Sequence, residues 1–190
     1  IGRSTFQKQM DGFIKYKLLR QTTGKRIMPF SVTLVSSMII KTLKAADPAQ
    51  KRTFNENTSY AFQALVAKKF NEKTSLQLIP TMVHYNLLPF ETSNNDRFSL
   101  GIGGRQKISK RISINAEYYW QFDKFEGYHN SAALGVDIET GGHVFQLHFT
   151  NSRGMNERTF ISETTGKWDK GDILFGFNIS RVFTIGGGKK

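Results

Sequence analysis

Any chemistry in this chain has to come from charged and polar side chains that recur at every second position. Arg97, Arg105 and Lys107 alternate along one segment with Ser99, Gly101 and Gly103. Glu117 shares the next segment with Ser113, Asn115, Tyr119 and Gln121, and Asp137 and Glu139 lie on the one after. Residues two apart in an extended strand share a face, so each set is a polar stripe. Arg3, Lys15 and Lys17 extend the basic set toward the N-terminus. A tight turn at Ser109-Lys110-Arg111 brings Arg105 opposite Asn115 or Glu117, depending on register. A Gly141-Gly142 turn pairs Thr140 with His143, which sets Asp137 opposite Gln146 and Gly135 opposite His148. The expected result is a polar network of Arg97, Arg105, Lys107, Glu117, Asp137, Glu139, Gln146 and His148. Such a network can line a solute pathway. It can equally fill a narrow interior with ion pairs.

Other chemistries find less support. A metal site needs several converging ligands, and only His148 with Asp137 is suggestive. Ser113 or Ser131 near His148 could form a nucleophile–base pair, but catalysis also asks for an orienting group. No metal, cofactor or enzymatic activity is therefore expected. Gly101-Ile102-Gly103-Gly104 lies in a strand with no helix following, so it is no phosphate loop. Gly101 and Gly103 instead let the barrel wall curve or let a large side chain, such as Tyr119, cross it. Cysteine is absent, which removes disulfides and thiol catalysis.

The elements that must position these residues are strands. Segments 1–6, 12–20, 29–43, 58–70, 74–87, 97–108, 112–125, 131–140, 143–152 and 171–185 alternate apolar and polar residues, and no helix-period stretch competes. Their connectors alternate too. Asn71-Glu72-Lys73, Ser109-Lys110-Arg111 and Gly141-Gly142 are short, whereas 45–56, 89–96, 126–130 and 153–170 are long. Short turns at one rim and long loops at the other are the pattern of an antiparallel up-and-down transmembrane β-barrel. The mean hydropathy of −0.39 does not oppose this, because a barrel strand shows lipid only every second residue. No run of about 18 apolar residues exists for a membrane helix.

A soluble sandwich would also alternate. Three features favour the barrel. The segments are long for sandwich strands, usually about 5–6 residues. The polar faces are rich in Gly, Ser, Asn and Gln. Aromatics gather near both ends of the apolar faces, with Phe30, Phe70 and Phe183 toward the short turns and Tyr60, Phe62, Phe98, Trp120 and Phe122 toward the long loops, as membrane interfaces favour. One segment is irregular. Leu76, Leu78, Pro80 and Met82 share a face, after which Val83, Tyr85 and Leu87 take over, so a bulge is expected near Pro80.

The barrel is expected to occupy 1–185, with a disordered tail at 186–190. The chain opens on Ile-Gly-Arg-Ser within a strand segment, so further strands are expected before Ile1: ten in this chain and about twelve in the full protein.

The run from Gly135 to Ser152, with Gly154-Met155-Asn156-Glu157, Gly171–Phe183 and Asp11–Lys17, is similar to sequences in a group of Bacteroidota outer-membrane β-barrel proteins of unknown function. The resemblance implies an outer-membrane barrel and carries no activity.

Function must then be read from the residues. The expectation is a narrow channel, or the membrane-embedded subunit of a larger cell-envelope assembly. The alternatives are a plugged structural anchor and, with less support, a membrane enzyme. In the long 153–170 loop, Met155, Phe160, Ile161 and Trp168 should pack over the mouth or against an envelope partner. The basic short turns, with Lys25, Arg26, Lys69, Lys73, Lys107, Lys110 and Arg111, read first as solvated turns, and second as a docking surface for an acidic periplasmic partner. The net charge of +12 comes with no aromatic-interleaved groove, so nucleic acid is excluded as a partner. Outer-membrane lipid is the expected surrounding.

Overall fold

A computed structural model describes residues 1–24, 27–43, 51–88 and 94–181. Ten strands form one antiparallel sheet: β1 (Gly2–Ser4), β2 (Gln9–Leu19), β3 (Ser31–Lys41), β4 (Thr58–Lys69), β5 (Thr74–Tyr85), β6 (Asp96–Lys107), β7 (Ile112–Gln121), β8 (Ser131–Thr140), β9 (His143–Thr150) and β10 (Leu174–Arg181). Each pairs with its neighbours in sequence order. The fold class expected from the alternation is the one observed. The expected tail at 186–190, together with Phe183, Lys25 and Arg26, lies outside the described residues. Strands β2–β8 run 10–12 residues, which suits the 9–11 residues a tilted strand needs to cross a bilayer.

Period two divides the sheet into two faces. The outer face carries Leu134, Trp120, Phe98, Phe175 and Phe177, all exposed. Water-soluble proteins rarely expose apolar patches above a few hundred Å², and this face is apolar from strand to strand. The inner face carries buried Ser37, Ala61, Thr81, Ser99, Ser113 and Ser131. The sheet curls toward that face, so that one turn of chain, Arg158–Ser162, touches β4, β7 and β8. It is not closed: among the described residues β1 pairs only with β2 and β10 only with β9.

Two expectations are corrected here. No bulge forms at Pro80. β5 keeps one register against β6 from Thr74 to His84, and against β4 it pairs Gln63 with Thr81 and resumes in the same register at Val66 with Leu78. Proline removes one ladder donor without shifting the strand. Val83 and Tyr85 thus share the inner face with Ile79 and Thr81, and their apolar character reflects a packed interior rather than a switch of faces. The sheet's register shift falls instead in β2, between Lys17 and Leu19. Arg3 is the second correction. It pairs with Met10, whose partner is Ile40, and so lies on the outer face, not with the inward basic residues.

Candidate functional site: a plugged interior above a polar cavity

The connection between β9 and β10 does not stand away from the barrel. It folds into the long-loop half of the interior. Asn151 fixes its stem, donating from Nδ2 to the carbonyls of Asn130 and Gly166, each at 2.9 Å, and accepting from the Ala132 amide at 2.9 Å. Asn156 then starts a wide helical turn. Its Oδ1 accepts from the Thr159 amide at 3.0 Å and from the Thr159 hydroxyl at 2.9 Å. Such a local cap satisfies a donor that the turn leaves free. The turn delivers Phe160 and Ile161 into a cluster with Ile79 and Tyr119, where the Phe160 and Tyr119 rings meet edge to face at 5.9 Å. On the return, Thr164 donates to the Phe160 carbonyl at 2.7 Å and its own carbonyl accepts from the His129 amide at 2.7 Å.

Charge is buried with the plug. Arg158 Nε donates to Glu163 Oε1 at 2.9 Å, and the two side chains are 8% and 6% exposed. The Arg158 guanidinium lies 4.9 Å from the centre of the Tyr85 ring. Glu163 Oε2 accepts from Gln7 Nε2 at 3.1 Å, and Asn156 donates to Gln9. These two contacts tie the plug to the start of β2, far away in sequence. Beside it Ile39, Ala61, Val83, Tyr85 and Phe125 form a second apolar cluster. Burial, with the Glu163 carboxylate adding to it, pushes the Tyr128 phenol above its ordinary range.

Toward the short turns the interior becomes a cavity of about 670 Å³, roofed by Met155, Asn156 and Phe160 and walled by residues such as Gln63, Asn115, Glu117 and His148. The expected register is met here: Arg105 faces Asn115, Asp137 faces Gln146, and Gly135 faces His148. Arg105 reaches Glu139 at 2.9 Å and Ser113 at 3.0 Å, Lys107 approaches Glu139 at 3.9 Å, and Gln146 donates to Asp137 at 3.1 Å. Arg105 and Glu139 are 43% and 40% exposed, so their pair is of the solvated kind worth about 0–1 kcal/mol.

Two expected members stand apart from this ladder. Arg97 is at the long-loop end, buried over the Phe125 ring at 3.9 Å and bonded to Asp123 at 2.5 Å. Glu117 faces the cavity and makes no ion pair among the described residues, because its cross-strand neighbours are Gly103 and Ala133. Glycines make the room where rings cross the wall. A Cβ on Gly101 would stand 2.5 Å from the Tyr119 ring, and one on Gly176 would collide with the His148 imidazole. Of the loop residues singled out in the sequence, Phe160 is inside the barrel, Met155 is exposed at the cavity roof, and Trp168 lines a small surface pocket with His129 and Lys167. The residues that seat the plug, Gln7, Gln9, Asn151, Asn156, Arg158 and Glu163, escaped the sequence reading. One signal was legible: Asn156 stands three before Thr159, at cap spacing, and Phe160-Ile161 is flanked by Arg158 and Glu163. Among the described residues no group of three or more His, Asp or Glu could hold a metal ion.

An open-edged sheet with a lipophilic outside, a filled mouth and a polar floor agrees with what comparison shows. Residues 1–183 match the family model described as a membrane bound beta barrel domain, DUF5777. The chain belongs to this family. None of the curated proteins and none of the solved structures matches it. The family is one of membrane-bound barrels of unknown function, so the apolar outer face of β2–β10 is a lipid face.

Proposed function

We propose that the chain is an outer-membrane barrel closed on its long-loop side by its own 151–173 segment, and that it serves as an anchor or membrane-embedded subunit of a cell-envelope assembly rather than as an open pore. One observation carries this reading: Phe160, Ile161 and the Arg158–Glu163 pair occupy the interior where solute would have to pass. Outer-membrane placement is supported by the alternation of short turns and long loops, the mark of barrels in that membrane. A narrow channel is the second reading, favoured by the polar cavity beneath the plug, and it requires the plug to move. Planar-bilayer recording of the full protein separates the two. No conductance steps are expected from the wild type, and steps should appear when residues 156–164 are replaced by a Gly/Ser segment of equal length. Steady wild-type conductance of porin size would overturn the anchor reading.

A further inference from the structure

The charge of this protein is not spread evenly along the barrel axis. At the long-loop end basic and acidic groups pair or balance. Arg97 meets Asp123, His84 meets Asp96, Arg158 meets Glu163, and in the loops Glu56, Glu126, Glu157, Asp169 and Asp172 offset most of Lys51, Arg52, Lys124, Arg153, Lys167 and Lys170. At the short-turn end Arg20, Lys68, Lys69, Lys73, Lys110 and Arg111 are exposed, and none is in an ion pair among the described residues. Among the described residues only Glu72 opposes them in the turns, since Glu139 is engaged by Arg105 and Lys107. These basic groups alternate with exposed apolar ones at the same turns: Ile27, Phe30, Phe70 and Ile108. Lys68 lies on the lipid face next to the rim, with its ammonium 5.2 Å from the centre of the Phe70 ring.

We propose that the short-turn rim is a binding surface for anionic phospholipid headgroups. A polar rim meant only for water would not place large apolar side chains beside each basic turn. A pocket for an acidic protein would not put a lysine on the lipid face over an aromatic ring. Apolar groups in the acyl boundary with ammonium and guanidinium groups reaching up to phosphate is the arrangement an interface selects. Each basic side chain near an anionic surface strengthens binding roughly fivefold, and the effect decays within a Debye length.

The test is native mass spectrometry of the full protein, folded in neutral detergent, with equimolar phosphatidylglycerol and phosphatidylcholine. Wild type should retain the anionic lipid over the zwitterionic one by about fivefold or more, less at high salt. The K68Q/K69Q/K73Q/K110Q/R111Q variant should lose the preference, whereas a K51Q/R52Q/K167Q variant at the other rim should keep it. Equal retention of both lipids by the wild type, or a salt-independent preference, would overturn the proposal, and the wild-type salt series stands even if the five-site variant does not fold. Tight binding of poly-glutamate without a lipid preference would overturn it in favour of an acidic protein partner.

Discussion

The buried Arg158–Glu163 pair offers the sharpest handle on the plug. Both side chains are under a tenth exposed and the bond is 2.9 Å, so solvent screening takes little from it. Removing one member of such a pair leaves the other charged and dry, which typically costs about 3–5 kcal/mol. Glu163→Gln keeps the shape and an acceptor for Gln7, so the low end of that range is expected, about 3 kcal/mol. Since about 1.4 kcal/mol is tenfold in an equilibrium, undocking of the plug should become about a hundredfold more frequent. Hydrogen–deuterium exchange of the protein in detergent reads this directly: amides of 156–164, and the His129 amide that donates to Thr164, should lose about two orders of magnitude of protection. Amides of β4–β7 should be unchanged. The double change Arg158→Met with Glu163→Leu should restore much of the loss, because apolar replacement of a buried pair is often neutral. Unchanged protection at 156–164 in Glu163→Gln would refute the buried plug, and so would equal loss throughout the barrel, which would mean that plug and wall open as one.

The remaining expectations concern the wall and the rims. Leu134, 47% exposed on the outer face, should resist replacement by Arg at a cost of about 2–4 kcal/mol near the bilayer midplane, whereas Asn115→Arg, facing the polar cavity, should be milder; equal folding yields in vesicles would place the lipid face wrongly. Gly101→Ala sets a methyl 2.5 Å from a Tyr119 ring that also packs edge to face with Phe160, and should lower the stability read from urea unfolding by about 1–3 kcal/mol, as overpacking does; a neutral effect would show that the ring is free to move. Proteases added to whole cells should cut at exposed Arg153 before buried Arg158, and should spare Lys73 and Lys110; early cleavage at the short turns would reverse the orientation.

How much of this was legible in the sequence depends on which forces fix each feature. Strand number, order and faces follow from period two and from connector length, both local properties. The Gly141-Gly142 turn alone set the pairing of Asp137 with Gln146 and of Gly135 with His148, as observed. Face assignment erred where an exception was read into the pattern. Pro80 followed by Val83 and Tyr85 looks like a change of side only if the inside is assumed to be polar. Partners failed where they depend on distance in sequence. Arg97 and Arg105 share a face, but along that face Arg97 is nearer the mouth, where Asp123 and Phe125 of the next loop arrive first. Gln7 to Glu163 and Gln9 to Asn156 join opposite ends of the chain, and nothing local announces them.

The inner face of β5 nevertheless states where the plug must sit. Read from the mouth, it runs Tyr85, Val83, Thr81, Ile79, Gln77, Ser75, from apolar to polar. An open aqueous lumen would favour polar groups along its whole length, and a lumen filled throughout by its own side chains would show no gradient. A face that is apolar for half its length needs an apolar guest in that half only. Phe125 meets Tyr85 edge to face at 5.5 Å, and Phe160 and Ile161 join Ile79 one level down. Below Ile79 the guest ends, and Gln77 and Ser75 line the cavity. The same gradient appears across β7, from buried Tyr119 to Asn115 at the cavity wall. Ile79→Asp should therefore be as damaging as a charge in any water-soluble core, since Ile79 is buried against Tyr119, Phe160 and Ile161 and its neighbour across β6 is Gly101, which offers a carboxylate nothing to pair with. Gln77→Asp, on the same strand and face but in the cavity, should leave folding yield in detergent nearly intact. If both variants fold equally well, the inside of this barrel is wet from rim to rim and the plug does not fill it.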